Sequence, residues 1–394
     1  MTTNFDQIVD RSGTGAIKYI RRKALFGRED VMPLWVADME FRSPKPVIEA
    51  LHQRSNHGVF GYTLPGDDYF ETIREWQDSH HNWEIDREWM SFVPGVVPTI
   101  GLALEIFTQP DDNILIHAPV YAPFFDVPKK LDRQVVFSNL KLQNGKFRMD
   151  LDDMRVKMKE ENIKVFILSN PHNPGGRVWS KDELKELASI AAENNVLVIS
   201  DEIHADLVLN EYQHVPFGTV SEEAAMNSIT LISPTKTFNI AGLSAATAIV
   251  PNQEIREKLN HRMHALHLFR GNIMAYEAAR AAYQHGEAWR KELLSYLEEN
   301  HRIVHAFFKE KLPEIIPMEA EASFLVWLDF SQTRLPPEDV RERLICEAGL
   351  GLSPGKAFGP GGEYYQRMNI GIPRQLFLHA LDKIQHAFNS LEVK

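Results

Sequence analysis

Between residues 90 and 250 the chain alternates two hydrophobic rhythms. Short uninterrupted apolar runs recur: Ile114-Leu-Ile-His117, Val135-Val-Phe-Ser138, Val165-Phe-Ile-Leu168, Val196-Leu-Val-Ile199 and Ile229 to Ile232. Stretches with helical spacing separate them. Ser180-Lys-Asp-Glu183 has the form of a capping box and predicts a helix from there to about Asn194. Met90 to Phe107 reads as a short strand, a Pro-Gly turn and a helix. Continuous apolar strands separated by helices predict an α/β fold with a mainly parallel sheet buried on both faces.

The flanks read differently. Residues 1 to about 45 are mixed, with one apolar island, Met32-Pro-Leu-Trp-Val-Ala37. Helices are predicted over Val47 to Asn56 and Tyr69 to His80, around a glycine- and proline-bearing loop from Gly58 to Gly66. After Pro251 the pattern becomes helical. Trp289, Leu293, Leu297, Val304, Phe307 and Phe308 share one face of a segment, Gly286 to Lys311, long enough to link two domains. Ala322 to Phe330 is predicted as a strand and Pro336 to Ala348 as a helix stopped by Gly349. Gly355 to Gly362 reads as a glycine-rich loop, Arg367 to Ile370 as a short strand, and Gln375 to Leu391 as a closing helix.

Composition narrows the function. A chain of 394 residues suggests two or three domains. With 43 Lys and Arg against 54 Asp and Glu, the net charge is -11, which argues against nucleic-acid and anionic-membrane partners. The single cysteine, Cys346, excludes an internal disulfide and a cysteine-cluster metal site, and no metal site is expected. One cysteine fits a reducing compartment. The first twenty residues carry Asp6, Asp10, Arg11 and Lys18 without an apolar segment, so no signal peptide is expected. No apolar run is long enough to span a bilayer, and the expected location is cytoplasmic.

In open parallel sheets the working residues collect beyond the carboxyl ends of the strands. Polar residues stand at several such ends here. Asp201 ends one strand. Asn170-Pro-His-Asn173-Pro-Gly-Gly176 follows another, Pro119-Val-Tyr121 a third, and Ser233 and Lys236 a fourth. A lysine desolvated just beyond a buried strand loses proton affinity and becomes a usable amine. Such amines condense with carbonyls.

The set of an Asn-Pro-Gly turn, a strand-end Asp, Ser-x-x-Lys and a late Arg followed by Asn resembles the pyridoxal-phosphate enzymes of the class I/II aminotransferase fold. Leu34-Trp-Val-Ala-Asp-Met39, Pro94-Gly-Val-Val-Pro98, Ser200-Asp-Glu-Ile-His204, Ser233-Pro-Thr-Lys-Thr-Phe-Asn-Ile-Ala-Gly-Leu243 and Tyr296-Leu-Glu-Glu-Asn300 are similar to the cystathionine β-lyase and cystalysin branch of carbon–sulfur lyases. The likeness runs from about Leu34 to the C-terminus. It implies fold type I: a mostly parallel seven-stranded sheet flanked by helices, with a smaller α+β domain. It implies an N-terminal segment (1–48) joining the small domain, a large cofactor-binding domain (49–285) and a small C-terminal domain (286–394).

The same resemblance implies roles. Lys236 would hold the aldehyde of pyridoxal 5′-phosphate and later act on the substrate Cα proton. Asp201 would keep the pyridine nitrogen protonated. Asn173 and His204 would contact the ring 3′-oxygen, and Tyr121 would stack on the ring. The N–H groups of Gly95, Val96 and Val97 would hold the phosphate, with the Ser233 hydroxyl adding a bond. Ser244 stands where many relatives carry a second phosphate cation. Tyr62 would reach the phosphate of a neighbouring subunit, implying a homodimer. Arg367 would clamp the substrate α-carboxylate and Ala37 would line the substrate side; Arg374, a few residues on, could be mistaken for the clamp. The implied activity is α,β-elimination of cystathionine- or cysteine-type substrates to a thiol or sulfide, pyruvate and ammonia. The alternatives are amino-group transfer to a 2-oxo acid on the same scaffold, and a regulatory binding role.

Overall fold

The computed structural model describes residues 3–209 and 211–389. Its main sheet has seven strands: β1 (Met90–Val93), β2 (Asn113–Ala118), β3 (Gln134–Asn139), β4 (Ile163–Ser169), β5 (Leu197–Asp201), β6 (Ser228–Ile232) and β7 (Ala246–Ile249). They lie in the order β1-β7-β6-β5-β4-β2-β3. Every residue of β5, β6 and β7 is buried, as expected of strands covered by helices on both faces.

β7 is the one strand that runs against the rest, and the apolar pattern does not announce it. It pairs antiparallel with both β1 and β6, with Thr247 opposite Phe92 on one side and Ile232 on the other. Half of its sequence, Ala-Thr-Ala-Ile, is alanine, which is depleted in strands. Packing overrides propensity here, because β7 is enclosed on both edges. A second element escaped the apolar pattern because it is polar. Lys141–Gln143 and Lys146–Arg148 form a hairpin across Asn144-Gly145, both with positive φ (52° and 74°), as a type I′ turn requires.

The helix Lys181–Glu193 starts as its sequence dictates. The Ser180 side chain accepts from the Glu183 N–H at 3.2 Å, and the Glu183 carboxylate accepts from the Ser180 N–H at 2.8 Å. The helix after β1 is Val96–Phe107, with Gly95 as its N-cap. Gly95 has φ 140°, a conformation a side chain resists, and this brings the backbone sharply round from β1 into the helix.

A four-stranded antiparallel sheet follows in the C-terminal part: β8 (Ile316–Pro317), β9 (Leu325–Asp329), β10 (Ser353–Pro354) and β11 (Tyr365–Asn369), ordered β8-β9-β11-β10. Val326, Leu328 and Met368 pack with Val304 and Phe308 of the 25-residue helix Glu287–Lys311, and with Phe377, Leu381 and Ile384 of the last helix. Met32–Pro33 pairs in parallel with Leu350–Gly351, so the N-terminal segment is fastened beside this sheet.

One helix expectation needs correction. The helix expected over Pro336 to Ala348 is α-helical only over Pro337–Glu342, and Arg343–Glu347 widens into a π turn before Gly349 at φ 62°. The wider turn turns both Leu344 and Ile345 inward, into two different apolar clusters. The closing helix spans Arg374–Phe388, and its expected continuation to Leu391 lies outside the described residues. Among the described residues no helix is long and apolar enough to cross a membrane.

Candidate active site

A cavity of about 440 Å³ opens beyond the carboxyl ends of β4, β5 and β6. Its lining brings together Ala37, Gly95, Val96, Val97, Tyr121, Asn173, Asp201, His204, Ser233, Lys236 and Arg367, from seven separate stretches of sequence. Lys236 follows β6 on a tight turn in which Phe238 N–H donates to the Pro234 carbonyl and Ile240 N–H to the Thr235 carbonyl. Phe238 is fully buried against Trp76, Tyr283 and Trp289, which anchors the turn from below. The Lys236 amine donates to the Ala37 carbonyl at 2.7 Å.

Burial sets the protonation chemistry. Desolvation, assisted by the nearby Arg367 charge, lowers the Lys236 amine to about 8. Desolvation raises the Asp201 carboxyl to about 7, against the opposing N–H of Ile203, which donates to Oδ1 at 3.0 Å, and the Lys236 charge. His204 is pushed down to about 3 by burial, with the Lys236 and Arg367 cations adding to the effect, and so is neutral at physiological pH. Its Nδ1 is buried and, among the described residues, has no hydrogen-bond partner. His204 itself lines the cavity.

Arg367, 5% exposed on β11, is held from three sides. Nη1 donates to Asn173 Oδ1 at 3.0 Å, Nη2 donates to the Trp35 carbonyl at 2.7 Å, and the guanidinium lies 4.8 Å over the Phe358 ring. A guanidinium only donates, so the Asn173 carbonyl oxygen faces Arg367 and its amide N–H2 is the edge left for a ligand. Tyr121 N–H donates to the Asn173 carbonyl at 3.1 Å, which ties the loop after β2 to the loop after β4. No side chain caps the helix Val96–Phe107, and its first N–H groups lack intrahelical acceptors.

The surroundings of Ser233, Tyr62 and Arg374 bear on what was expected of them. The Ser233 hydroxyl donates to the Ala245 carbonyl at 2.6 Å, so its proton is already engaged. Tyr62 lies away from the cavity of its own chain, 96% exposed beneath the Arg270 guanidinium. Arg374 stacks on Tyr296 at 4.4 Å, outside the cavity lining, which leaves Arg367 as the arginine of the site. Ser244, at φ 54°, lines the cavity without supplying a charge.

Sequence reasoning gave no role to Asn239, Asn369, Thr235 and Ser353, although the first three stand in motifs quoted above. Asn239 and Asn369 each bind several backbone groups of the segment Val36–Phe41. Thr235 Oγ1 lies 2.6 Å from Ser233 Oγ, and the Ser353 hydroxyl donates to the Trp35 carbonyl at 2.9 Å. A signal existed for the two asparagines: each sits close to a residue already singled out, in Lys236-Thr-Phe-Asn239 and Arg367-Met-Asn369.

The family model for aminotransferase class I and II matches residues 29–384. The chain belongs to the class I and II aminotransferase family. Within this aminotransferase family it is 38% identical to cystathionine β-lyase PatB of Bacillus subtilis, over 98% of this chain and all of that one. Cystalysin from Treponema denticola, solved with pyridoxal 5′-phosphate, superposes with a TM-score of 0.96 at 32% identity, over 99% of this chain and 100% of that chain. A pyridoxal-phosphate-bound carbon–sulfur lyase from Staphylococcus hominis superposes with a TM-score of 0.92 at 33% identity, over 98% of each chain. The sheet with its one antiparallel strand is thus the aminotransferase-family sheet, and the cavity lies at the strand ends where such folds bind ligands.

Proposed function

We propose that the protein is a pyridoxal-phosphate-dependent carbon–sulfur β-lyase. The observation that carries the reading is the opposition of a depressed lysine amine and a buried carboxyl in one cavity, in a chain similar over its whole length to enzymes of that name. The residues fit the cofactor by their chemistry. An uncapped helix N-terminus suits a phosphate. The Asn173 amide N–H2, beside the His204 ring in the cavity lining, suits a ring oxygen. Asp201 suits a ring nitrogen, and Lys236 an aldehyde.

When bound, pyridoxal phosphate supplies a carbonyl for the substrate amine and an electron-withdrawing ring. The chain's residues do the rest. Arg367, with Asn173 on one edge, would take the substrate carboxylate and orient Cα. Lys236 Nζ would remove the Cα proton, and the sulfur would leave from Cβ. Asp201 would hold its proton relationship to the ring nitrogen throughout. With one water consumed, a thioether amino acid yields a thiol, pyruvate and ammonia.

The test is direct. Purified protein supplied with the cofactor should release pyruvate together with thiol or sulfide from cystathionine or cysteine. Absence of both products would overturn the reading, and transfer of the alanine amino group to a 2-oxo acid at a greater rate would replace it with an aminotransferase. Arg367→Lys should raise KM by roughly 30-fold, about 2 kcal/mol, with a smaller change in kcat, because an ammonium cannot grip a carboxylate with two parallel donors. Steady-state kinetics check it.

The reading includes a homodimer in the cytoplasm. Val59, Phe60, Tyr62 and Leu64 expose 63%, 58%, 96% and 58% of their surfaces on one loop, an apolar patch that a second copy would cover. Tyr62 would then reach the neighbouring phosphate. The one exposed cysteine fits a reducing compartment.

A further inference from the structure

The segment Trp35–Phe41 forms one wall of the cavity, and side chains from elsewhere hold almost every one of its carbonyls. Trp35 O accepts from Arg367 Nη2 at 2.7 Å and from Ser353 Oγ at 2.9 Å. Val36 O and Asp38 O both accept from Asn369 Nδ2, each at 2.6 Å. Asp38 O accepts also from Lys18 Nζ at 2.8 Å. Met39 O and Phe41 O accept from Asn239 Nδ2 at 2.9 and 2.7 Å, and Asn239 Oδ1 accepts from the Met39 N–H at 2.9 Å. Between these clamps lies Ala37, whose carbonyl accepts from Lys236 Nζ at 2.7 Å.

The partners alternate. The carbonyls of Trp35 and Ala37 go to the two cations of the cavity, and those of Val36 and Asp38 go to one asparagine. Asn369 therefore grips the peptides on either side of Ala37 and fixes the direction of the carbonyl between them. Its own Oδ1 accepts from Gly371 N–H at 2.8 Å, and it is fully buried, so the grip is rigid. Behind the strap, the fully buried Lys18 bonds Asp38 Oδ1 at 2.7 Å and Glu40 Oε1 at 2.8 Å, and Arg11 bonds the same two carboxylates at 2.9 Å each. A balanced, largely buried quartet of this kind resists displacement, since moving one member strands another charge.

We propose that Asn369 is a positioning residue for Lys236. By holding Val36 and Asp38 it aims the Ala37 carbonyl, and that carbonyl seats the free amine at the height from which it acts on the substrate Cα proton. The same strap ties the amine to the carboxylate-binding guanidinium two positions away. This inference rests on the reading of Lys236 as the group that moves that proton, and it adds a residue that touches neither substrate nor cofactor.

The experiment compares Asn369→Ser and Asn369→Asp with Asn300→Ser in the cofactor-loaded enzyme. Asn300 is also buried and donates to a neighbouring carbonyl, Ile370 O at 2.8 Å, but does not touch the strap. Both Asn369 variants should lose roughly 10²-fold in kcat with KM within about threefold, because a misplacement near 1 Å costs that much. The isotope effect with Cα-deuterated substrate should grow, and Asn300→Ser should retain both values.

In the cofactor-free protein, the pH midpoint for acylation of Lys236, read by peptide mass spectrometry, should fall in the Asn369 variants. The ammonium would have lost the acceptor that favours it. Unchanged kcat, a rise confined to KM, an unmoved midpoint, or equal losses in Asn300→Ser would overturn the proposal. If the wild type turned over no sulfur amino acid, the lyase reading would fall, while the acylation midpoint would still decide the role of Asn369.

Discussion

Replacing Lys236 with alanine should lower turnover by at least about 10⁴-fold, since one side chain serves both as attachment point and as proton acceptor. The same change should not harm the fold. Among the described residues the amine makes one hydrogen bond, to Ala37 O, and it is held at about 8 rather than at the ordinary lysine value. The sign follows from that depression. Below pH 8 both folded and unfolded chains bind the proton, and the folded one does so against desolvation, so the unfavourable contribution is fully present there. Between 8 and the ordinary lysine range the unfolded chain alone keeps the proton, and stability recovers as pH rises. Lys236→Ala without cofactor should therefore melt at or above the wild-type temperature at pH 7, with the difference shrinking toward pH 10.5. Added primary amines should restore part of the activity. Full turnover by the variant, or a marked drop in its melting temperature, would remove Lys236 from the centre of the chemistry.

How far the sequence led is clearest in particular elements. Strands β2, β4, β5 and β6 were legible because burial on both faces leaves a continuous apolar run. The capping box fixed the start of Lys181–Glu193 because its signal is local chemistry. β7 was not legible, since alanine-rich residues become a strand only when two neighbours pair with them. The π turn at Arg343–Glu347 answers to the need to bury both Leu344 and Ile345, a tertiary demand with no local signature.

The site divides in the same way. Residues that bring unusual chemistry to a strand end, Lys236 and Asp201, could be singled out one by one. The roles of Asn369 and Asn239 could not, although both stand beside singled-out residues, because the backbone an asparagine binds is not written in its own neighbourhood. Their partners lie about two hundred residues or more away, for example 333 residues between Asn369 and Val36. Tyr62 shows a further limit: its expected role needs a second chain, and its own fold leaves it 96% exposed.

Asp201→Asn should separate stability from activity in the opposite sense to a structural residue. Burial raises the Asp201 carboxyl to about 7, with only the Ile203 N–H and the Lys236 charge opposing it. A carboxyl raised in the folded state keeps its proton there after the unfolded chain has lost it. Stability is therefore lost as pH climbs from about 4 to about 7, and the deficit stays constant above 7. The gap between those values corresponds to roughly 4 kcal/mol at most. Asparagine matches the shape, carries no charge to desolvate, and its side-chain oxygen can accept the Ile203 N–H. The cofactor-free variant should thus melt above the wild type at pH 8 and alongside it near pH 4. The loaded variant should lose on the order of 10³-fold in kcat, because a neutral amide cannot stabilise a protonated ring nitrogen. A cofactor-free Asn variant that melts below wild type at pH 8 would mean that the carboxylate supports the fold. Retained turnover would mean that the buried acid does not act on the ring. The two measurements together tell a group kept for catalysis at a cost to the fold from one kept for the fold alone.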